Sequence, residues 1–202
     1  MFFGIGSNRI VGGDFLLLVY KEPPFTRSLI LNLEPYPDTL FYSVPAWNLV
    51  QGQGFRMEAY GQEIRSIVPP LYSWYLVPFF LVFNDVRSFY LANVLLAVGT
   101  LVLFMLTVGQ ILRKNKGWEI KAGVLGFLLA TNFYFYTLPT LLMAENISLF
   151  LTMVGFYFLI KKISLKNSLA VSLVGTGLLL TKLSNLPLAV TFVFLGLALG
   201  QI

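Results

Sequence analysis

The chain has 202 residues, 57% hydrophobic and only 11% charged, with a formal net charge of +5 and a mean hydropathy of +0.78. Soluble domains carry about 25% charged residues, so this composition points to an integral membrane protein. There is no Cys and no His, which excludes disulfides, the usual zinc sites, cysteine nucleophiles and imidazole bases and leaves carboxylates, Lys and Tyr for acid–base chemistry.

Residues 1–34 hold no membrane span, because Asp14, Lys21, Glu22, Arg27 and Glu34 break every apolar run. The next stretch, PYPDTLFYSVPAWNLVQGQGF (35–55), places Asp38 after two prolines on a constrained turn. Thr39 to Val50 reads as a short helix, bent or broken at Pro45. Two readings of Asp38 stand side by side. It caps this helix, or it is a functional carboxylate. Gly52 and Gly54 read as a turn, since no strand precedes them to make a phosphate loop.

The segment SIVPPLYSWYLVPFFLVFN (66–84) is uncharged over 19 residues. Pro69 and Pro70 open it, Pro78 interrupts it, and Tyr72, Trp74 and Tyr75 are residues of membrane interfaces. It reads as a helix of about 13 residues lying near the outer surface. A spanning helix is the competing reading, and it would move Asp38 to the cytoplasmic side.

Charge-free runs of 25, 23, 15 and 15 residues follow, and no charge appears after Lys182. A hydrocarbon core of about 30 Å needs about 20 apolar helical residues. Five spans are expected, at 89–112, 121–140, 145–161, 167–183 and 186–202. Arg113, Lys114, Lys116 and Lys121 fall in one loop, and Lys161, Lys162 and Lys166 in another. With alternating spans both loops lie on one side, which the positive-inside rule makes cytoplasmic. The basic residues are thus topology signals, and nucleic acid is not an expected partner.

Asp38, Glu145 and Lys182 then share the external face. Glu145 and Lys182 flank short runs and lie near membrane depth, where ionisable groups are costly and often functional. The plainer reading is that they snorkel to the interface.

The order of motifs resembles the GT-C glycosyltransferases, specifically the bacterial branch of lipid A aminoarabinose transferases and protein mannosyltransferase-like enzymes. PDTLFYSVPAWNLVQGQGF is similar to that family's first external loop: an acid pair, an aromatic, Ala-x-x-Leu, then Gly-x-Gly-Phe. RSIVPPLYSWYLVPFFLVF looks like its Pro-Pro-Leu-Tyr helix, with Arg87 and a long span following. TLPTLLMAENISLFL resembles the segment with the second acid, and GTGLLLTKLSNLPL the Gly-x-x-Leu-x-Thr-Lys segment. The likeness runs from about residue 35 to 200. Thr39 stands where the family often has Glu, and Val68 where it often has Lys. Family members usually run to several hundred residues, so the chain reads as the N-terminal part of such a protein. Nothing in 1–34 carries Asp38 across a membrane.

The resemblance implies an all-α, polytopic transmembrane bundle whose external loop (35–87) bears interfacial helices, followed by the spans of 88–202. It implies inverting sugar transfer from a polyprenyl-phosphate donor to a lipid, glycan or protein acceptor, at the external (periplasmic) face of a bacterial inner or plasma membrane. Asp38 is the candidate base, and Glu145 the residue that orients the acceptor or helps bind Mg²⁺ or Mn²⁺, with Asp38 as the other carboxylate ligand. Lys182 and Arg65 are candidate partners of the lipid phosphate. Tyr42 and Tyr72 are candidate substrate contacts. Trp47, Tyr72 and Trp74 either pack on sugar or lipid or anchor at the interface. Two other classes remain open: a transporter or flippase segment with Glu145 and Lys182 lining a path, and a non-catalytic membrane protein.

Overall fold

The structure, a computed structural model, describes residues 38–59, 62–65, 68–83, 87–161 and 164–200. The N-terminal segment 1–34 and the turn at Pro35 and Pro37 lie outside the described residues. The described residues form eight α-helices and one two-stranded antiparallel hairpin.

Helix α1 (Asp38–Val50) runs continuously through Pro45. Of the bend or break expected at that proline, the break is absent. The helix ends instead at Gly52, whose φ of 71° supplies the left-handed cap that other residues adopt at a cost. The Gln53 N–H bonds Asn48 O at 2.8 Å and the Gly52 N–H bonds Leu49 O at 3.1 Å, so two otherwise orphaned carbonyls are satisfied. The hairpin of β1 (Arg56–Ala59) and β2 (Gln62–Arg65) follows, with Arg56 opposite Arg65. The Asn48 amide donates to Arg56 O at 2.7 Å and ties the hairpin to α1. The alternation that marks a strand is too short here to show in the sequence.

Helix α2 (Leu71–Phe83) has the expected 13 residues and also continues through its proline, Pro78. It buries Tyr72, Leu76 and Phe80 at four-residue steps along one face, with Ser73 beside them. Helix α3 (Arg87–Leu112) has 26 residues, about 39 Å at 1.5 Å per residue. Helix α4 (Trp118–Ala130) stops early, so the single span expected over 121–140 is not one helix. The physical reason is Asn132. Its backbone is extended and its side chain accepts from the Tyr134 and Phe135 N–H groups, starting α5 (Phe133–Thr137) afresh. A 3₁₀ turn (Leu138–Thr140) leads on to α6 (Glu145–Leu159). Helix α7 (Leu165–Leu179), a second 3₁₀ turn (Leu183–Asn185) and α8 (Leu186–Gly200) complete the chain order.

Close contacts fix the helix directions. Met105 packs at Gly126 and Trp118 at Gly109, so α4 runs antiparallel to α3. Phe150 packs at Gly99, and Asn93 reaches Leu141 O, so α6 runs parallel to α3. Ser148 meets Thr181 and Leu151 packs at Gly177, so α7 returns antiparallel to α6. Gly175 lies against Ala189 and Val193, and Gly196 against Ser168 and Ser172, so α8 reverses again. The loop with exposed Arg113, Lys114 and Lys116 and the exposed Lys121 in the first turn of α4 therefore share an end of the bundle with Lys161. Glu145 and Lys182 lie at the other end.

Two helical segments are long and apolar enough to cross a membrane: Ser88–Leu112 and Leu183–Gly200. Helices α2, α6 and α7 are apolar but shorter. The main core is not spread along the bundle. It gathers at the Glu145 end, from Leu40, Tyr42, Val44, Met57, Tyr72, Leu76, Phe89 and Leu142 among others. A second cluster lies between α7 and α8, around Val171, Leu178 and Phe192.

Candidate functional site

Two residues singled out from the sequence meet directly. The Lys182 ammonium donates to Glu145 Oε1 in an ion pair between α6 and the α7–α8 turn. Each charge suits its position. Glu145 opens α6, where the helix dipole favours an anion. Lys182 follows the end of α7, where it favours a cation. The two side chains are 35% and 34% exposed, which leaves the pair accessible from outside the protein. The second carboxylate oxygen, Glu145 Oε2, is buried and has no hydrogen-bond partner among the described residues. A buried, unpaired acceptor is costly, and a bound donor would relieve that cost.

The Pro-Pro-Leu-Tyr segment reaches this place too. The Leu71 N–H donates to Leu180 O at 2.9 Å, two residues before Lys182. The start of α2 is thereby pinned to the end of α7. The sequence holds these residues about a hundred positions apart, and nothing in local pattern pairs them.

Beneath this surface lies a network that the sequence reading did not single out. The Tyr72 hydroxyl donates to Asn93 Oδ1 at 2.7 Å, and the Asn93 amide donates to Leu141 O at 2.8 Å. The Asn146 amide lies within bonding distance of the carbonyls of Leu138, Leu141 and Met143, at 2.9, 3.0 and 3.2 Å. These two asparagines hold the non-helical run just before Glu145. Asn93 is fully buried on α3, within the run from Leu91 to Val98 that is otherwise apolar. A lone amide in such a run is the signal that could have found it. Replacing Asn93 by Leu removes its bond with the Tyr72 hydroxyl and one of the two amide bonds to the Leu141 carbonyl, at about 0.5–1.5 kcal/mol for each bond lost. The expected result is a clearly lowered unfolding midpoint, measured in the same detergent as the parent protein.

The tyrosines expected to touch substrate are placed differently. Tyr72 is fully buried and Tyr42 nearly so, with ring centroids 5.3 Å apart in an edge-to-face contact. The Ser73 hydroxyl donates to Tyr42 O at 2.8 Å. Both tyrosines join α1 to α2 and to Asn93, which is a packing position. Trp47 packs on Phe80, with centroids 4.8 Å apart. Trp74 is half exposed, as an interface anchor requires. The Tyr75 hydroxyl donates to Ala92 O at 2.9 Å, and burial pushes its phenol up to about 12, so it stays protonated.

Asp38 begins α1 and Arg65 ends β2. The structure describes their backbones and not their side chains, so the remaining members of the expected constellation are placed by element alone. Among the described residues, no three Asp, Glu, His or Cys residues come together as a metal-binding group. Glu145 is one carboxylate with an ammonium already on one oxygen. The Asp38 side chain, the other carboxylate of the expected metal pair, lies outside the described residues.

No family model, curated protein or solved structure matches this chain.

Proposed function

We propose that the chain is an integral membrane protein whose Glu145–Lys182 end takes part in transferring a sugar from a polyprenyl-phosphate donor to an acceptor. The observation that carries this reading is the convergence of Glu145, Lys182 and the start of α2 at the end of the bundle opposite the basic loop. A carboxylate, an ammonium and an interfacial helix are the groups such a transfer uses.

The membrane part rests on exposed apolar surface. Val94, Leu95, Val98, Val102, Met105, Leu106 and Ile111 all lie exposed along α3, and Leu173, Val190, Phe194 and Leu197 along α7 and α8. Soluble monomers rarely expose apolar patches of more than a few hundred Å². A lipid surround removes the contradiction. Helices α6 and α7, about 22 Å each, then cross with their non-helical ends reaching toward the headgroups. The basic loops face the cytoplasm by the positive-inside rule, and the Glu145 end faces outward.

In an inverting transfer the acceptor oxygen attacks the anomeric carbon, the lipid phosphate leaves with the bonding pair, and a base takes the acceptor's proton. Lys182, a third exposed, has hydrogen-bond capacity beyond Glu145 to offer the departing phosphate. Arg65 is a second candidate for that anion. The buried Glu145 Oε2 is an acceptor for a sugar or acceptor hydroxyl. Asp38 is the candidate base, at the start of the helix that α2 packs on. Tyr42 and Tyr72 serve by holding α1 and α2 together. Asp38→Asn is expected to abolish sugar transfer in membranes expressing the chain, with its abundance unchanged. Near-normal turnover would remove Asp38 from the role of base.

The unpaired Glu145 Oε2 also suits a transporter reading, in which the pair lines a path. Substrate then crosses without any glycosidic bond forming, so product analysis in the same assay separates the two.

A further inference from the structure

The turn that carries Lys182 is held by a polar cluster that neither the ion pair nor the transfer chemistry uses. The Asn185 amide lies 2.9 Å from Ser148 Oγ, 2.8 Å from Thr181 Oγ1 and 3.3 Å from Leu178 O. Ser148 Oγ and Thr181 Oγ1 are 3.0 Å apart, and Thr181 is fully buried. Ser148 stands three residues after Glu145 on α6, so it lies on the same face one turn further in. Thr181 is the residue before Lys182. The backbone at Lys182 is extended (φ −160°, ψ 134°), between the end of α7 and the 3₁₀ turn that Asn185 closes. In such a conformation the direction of the lysine side chain depends on how the turn is anchored.

We infer that Ser148, Thr181 and Asn185 form a lock that fixes the register of the α7–α8 turn against α6 and so sets Lys182 on Glu145. They are positioning residues. The cluster joins the residue one helical turn below Glu145 to the residue next to Lys182. A slip of either element would break the two contacts that Ser148 makes with Thr181 and Asn185, and the ion pair with them. What the lock supplies is order, because a free lysine samples many rotamers and an exposed pair by itself does not restrain them. The inference deepens the transferase reading but is tested without any sugar donor, so either can fail alone.

The test is zero-length crosslinking of the purified chain with a water-soluble carbodiimide. The reagent activates the Glu145 carboxylate, and the Lys182 amine displaces it as the urea to leave an amide, scored by mass spectrometry of the linked peptides. The parent chain is expected to give the Glu145–Lys182 link. Asn185→Leu is expected to lower its yield roughly tenfold, on the scale of losing buried hydrogen bonds. Ser148→Ala is expected to lower it less, and Ser148→Thr, which keeps the hydroxyl, to restore it. Should Asn185→Leu not give a monodisperse folded protein, the Ser148→Ala and Ser148→Thr pair carries the comparison. Unchanged yield in folded Asn185→Leu, or equal yields for Ser148→Ala and Ser148→Thr, overturns the lock. Absence of the link in the parent chain overturns it as well.

Discussion

Lys182→Met destabilises the chain more than Glu145→Gln combined with Lys182→Met. The single change leaves a carboxylate beside an apolar stem, with Oε2 already buried and unpaired. The double change leaves neither charge. Breaking a fully buried pair costs about 3–5 kcal/mol, and this pair is a third exposed, so about 1–2 kcal/mol is the expected loss for Lys182→Met. Glu145→Gln removes the charge but keeps an amide oxygen for Lys182, and its loss should be smaller. The complete cycle should therefore show a coupling that is favourable between the two wild-type residues. Thermal unfolding in detergent, followed for all four proteins, reads it directly. Additive effects would mean that the two side chains do not interact. The exchanged pair, Glu145→Lys with Lys182→Glu, is expected to recover less than the parent, because each charge then opposes the helix dipole at its position.

Gly175→Ala and Gly196→Ala should each be strongly destabilising, against the usual sign. In a helix interior Gly→Ala ordinarily gains about 0.5–1 kcal/mol. At Gly175 an added Cβ would meet the Ala189 carbonyl oxygen at 2.6 Å and the Val193 nitrogen at 3.0 Å. At Gly196 it would meet the Ser168 carbonyl oxygen at 2.7 Å and the Ser172 nitrogen at 2.9 Å. These are backbone atoms, so no rotamer change relieves the overlap and α7 and α8 must move apart. Small residues that allow such close approach are the usual way helices pack in lipid, where burying apolar area gives no advantage. Overpacking costs about 1–3 kcal/mol at one site, and separation of the helices adds the loss of Phe192 and Val171 packing. Gly123→Ala is the control. Nothing lies within 4 Å of a Cβ there, so the ordinary helical gain of about 0.5–1 kcal/mol is expected. Equal effects at positions 123, 175 and 196 would contradict the close packing of α7 on α8. The 175 and 196 variants should also weaken the Lys182 placement, since α7 and α8 flank its turn.

Much of the helix layout was legible because the membrane reading needs only uncharged runs. The expected spans at 89–112, 145–161, 167–183 and 186–202 fall on α3, α6, α7 and α8 to within a few residues. The 13-residue helix after Pro69 and Pro70 was legible from the prolines, the uncharged run and its interfacial aromatics together. The expectation over 121–140 missed because Thr131 and Asn132 carry no charge. A charge-run criterion cannot see a helix restarted by an amide cap. The same blindness hid Asn93, Asn146 and Asn185, which are polar but neutral. Pro45 was read as a bend or a break and Pro78 as an interruption, because a proline removes a backbone hydrogen bond from a helix. Both helices continue, and α1 stops at Gly52 for a conformational reason instead. The hairpin at 56–65 was missed because four-residue strands carry too little alternation to register.

For the site, charge placement correctly put Glu145 and Lys182 at one end, and their pairing follows from antiparallel α6 and α7. The burial of Tyr42 and Tyr72 was not legible, since a tyrosine on a substrate and one in a core look alike in sequence. What decided it was the packing of α1 against α2, a tertiary contact between segments that are each weakly patterned. The link from Leu71 to Leu180 is of the same kind.

The central claim is that the Glu145–Lys182 end holds a lipid-linked sugar phosphate. The most direct measurement is a titration of the chain in lipid nanodiscs with a polyprenyl-phosphate sugar, followed by intrinsic tryptophan fluorescence. Trp74 stands half exposed on α2, the helix pinned beside Lys182. The expected result is saturable binding that weakens about tenfold or more in Lys182→Ala, as removing a charge-assisted phosphate contact requires. Free polyprenyl phosphate should compete, and the matching polyprenol without phosphate should not. Binding that is absent, or indifferent to both Lys182→Ala and the phosphate, would contradict the account.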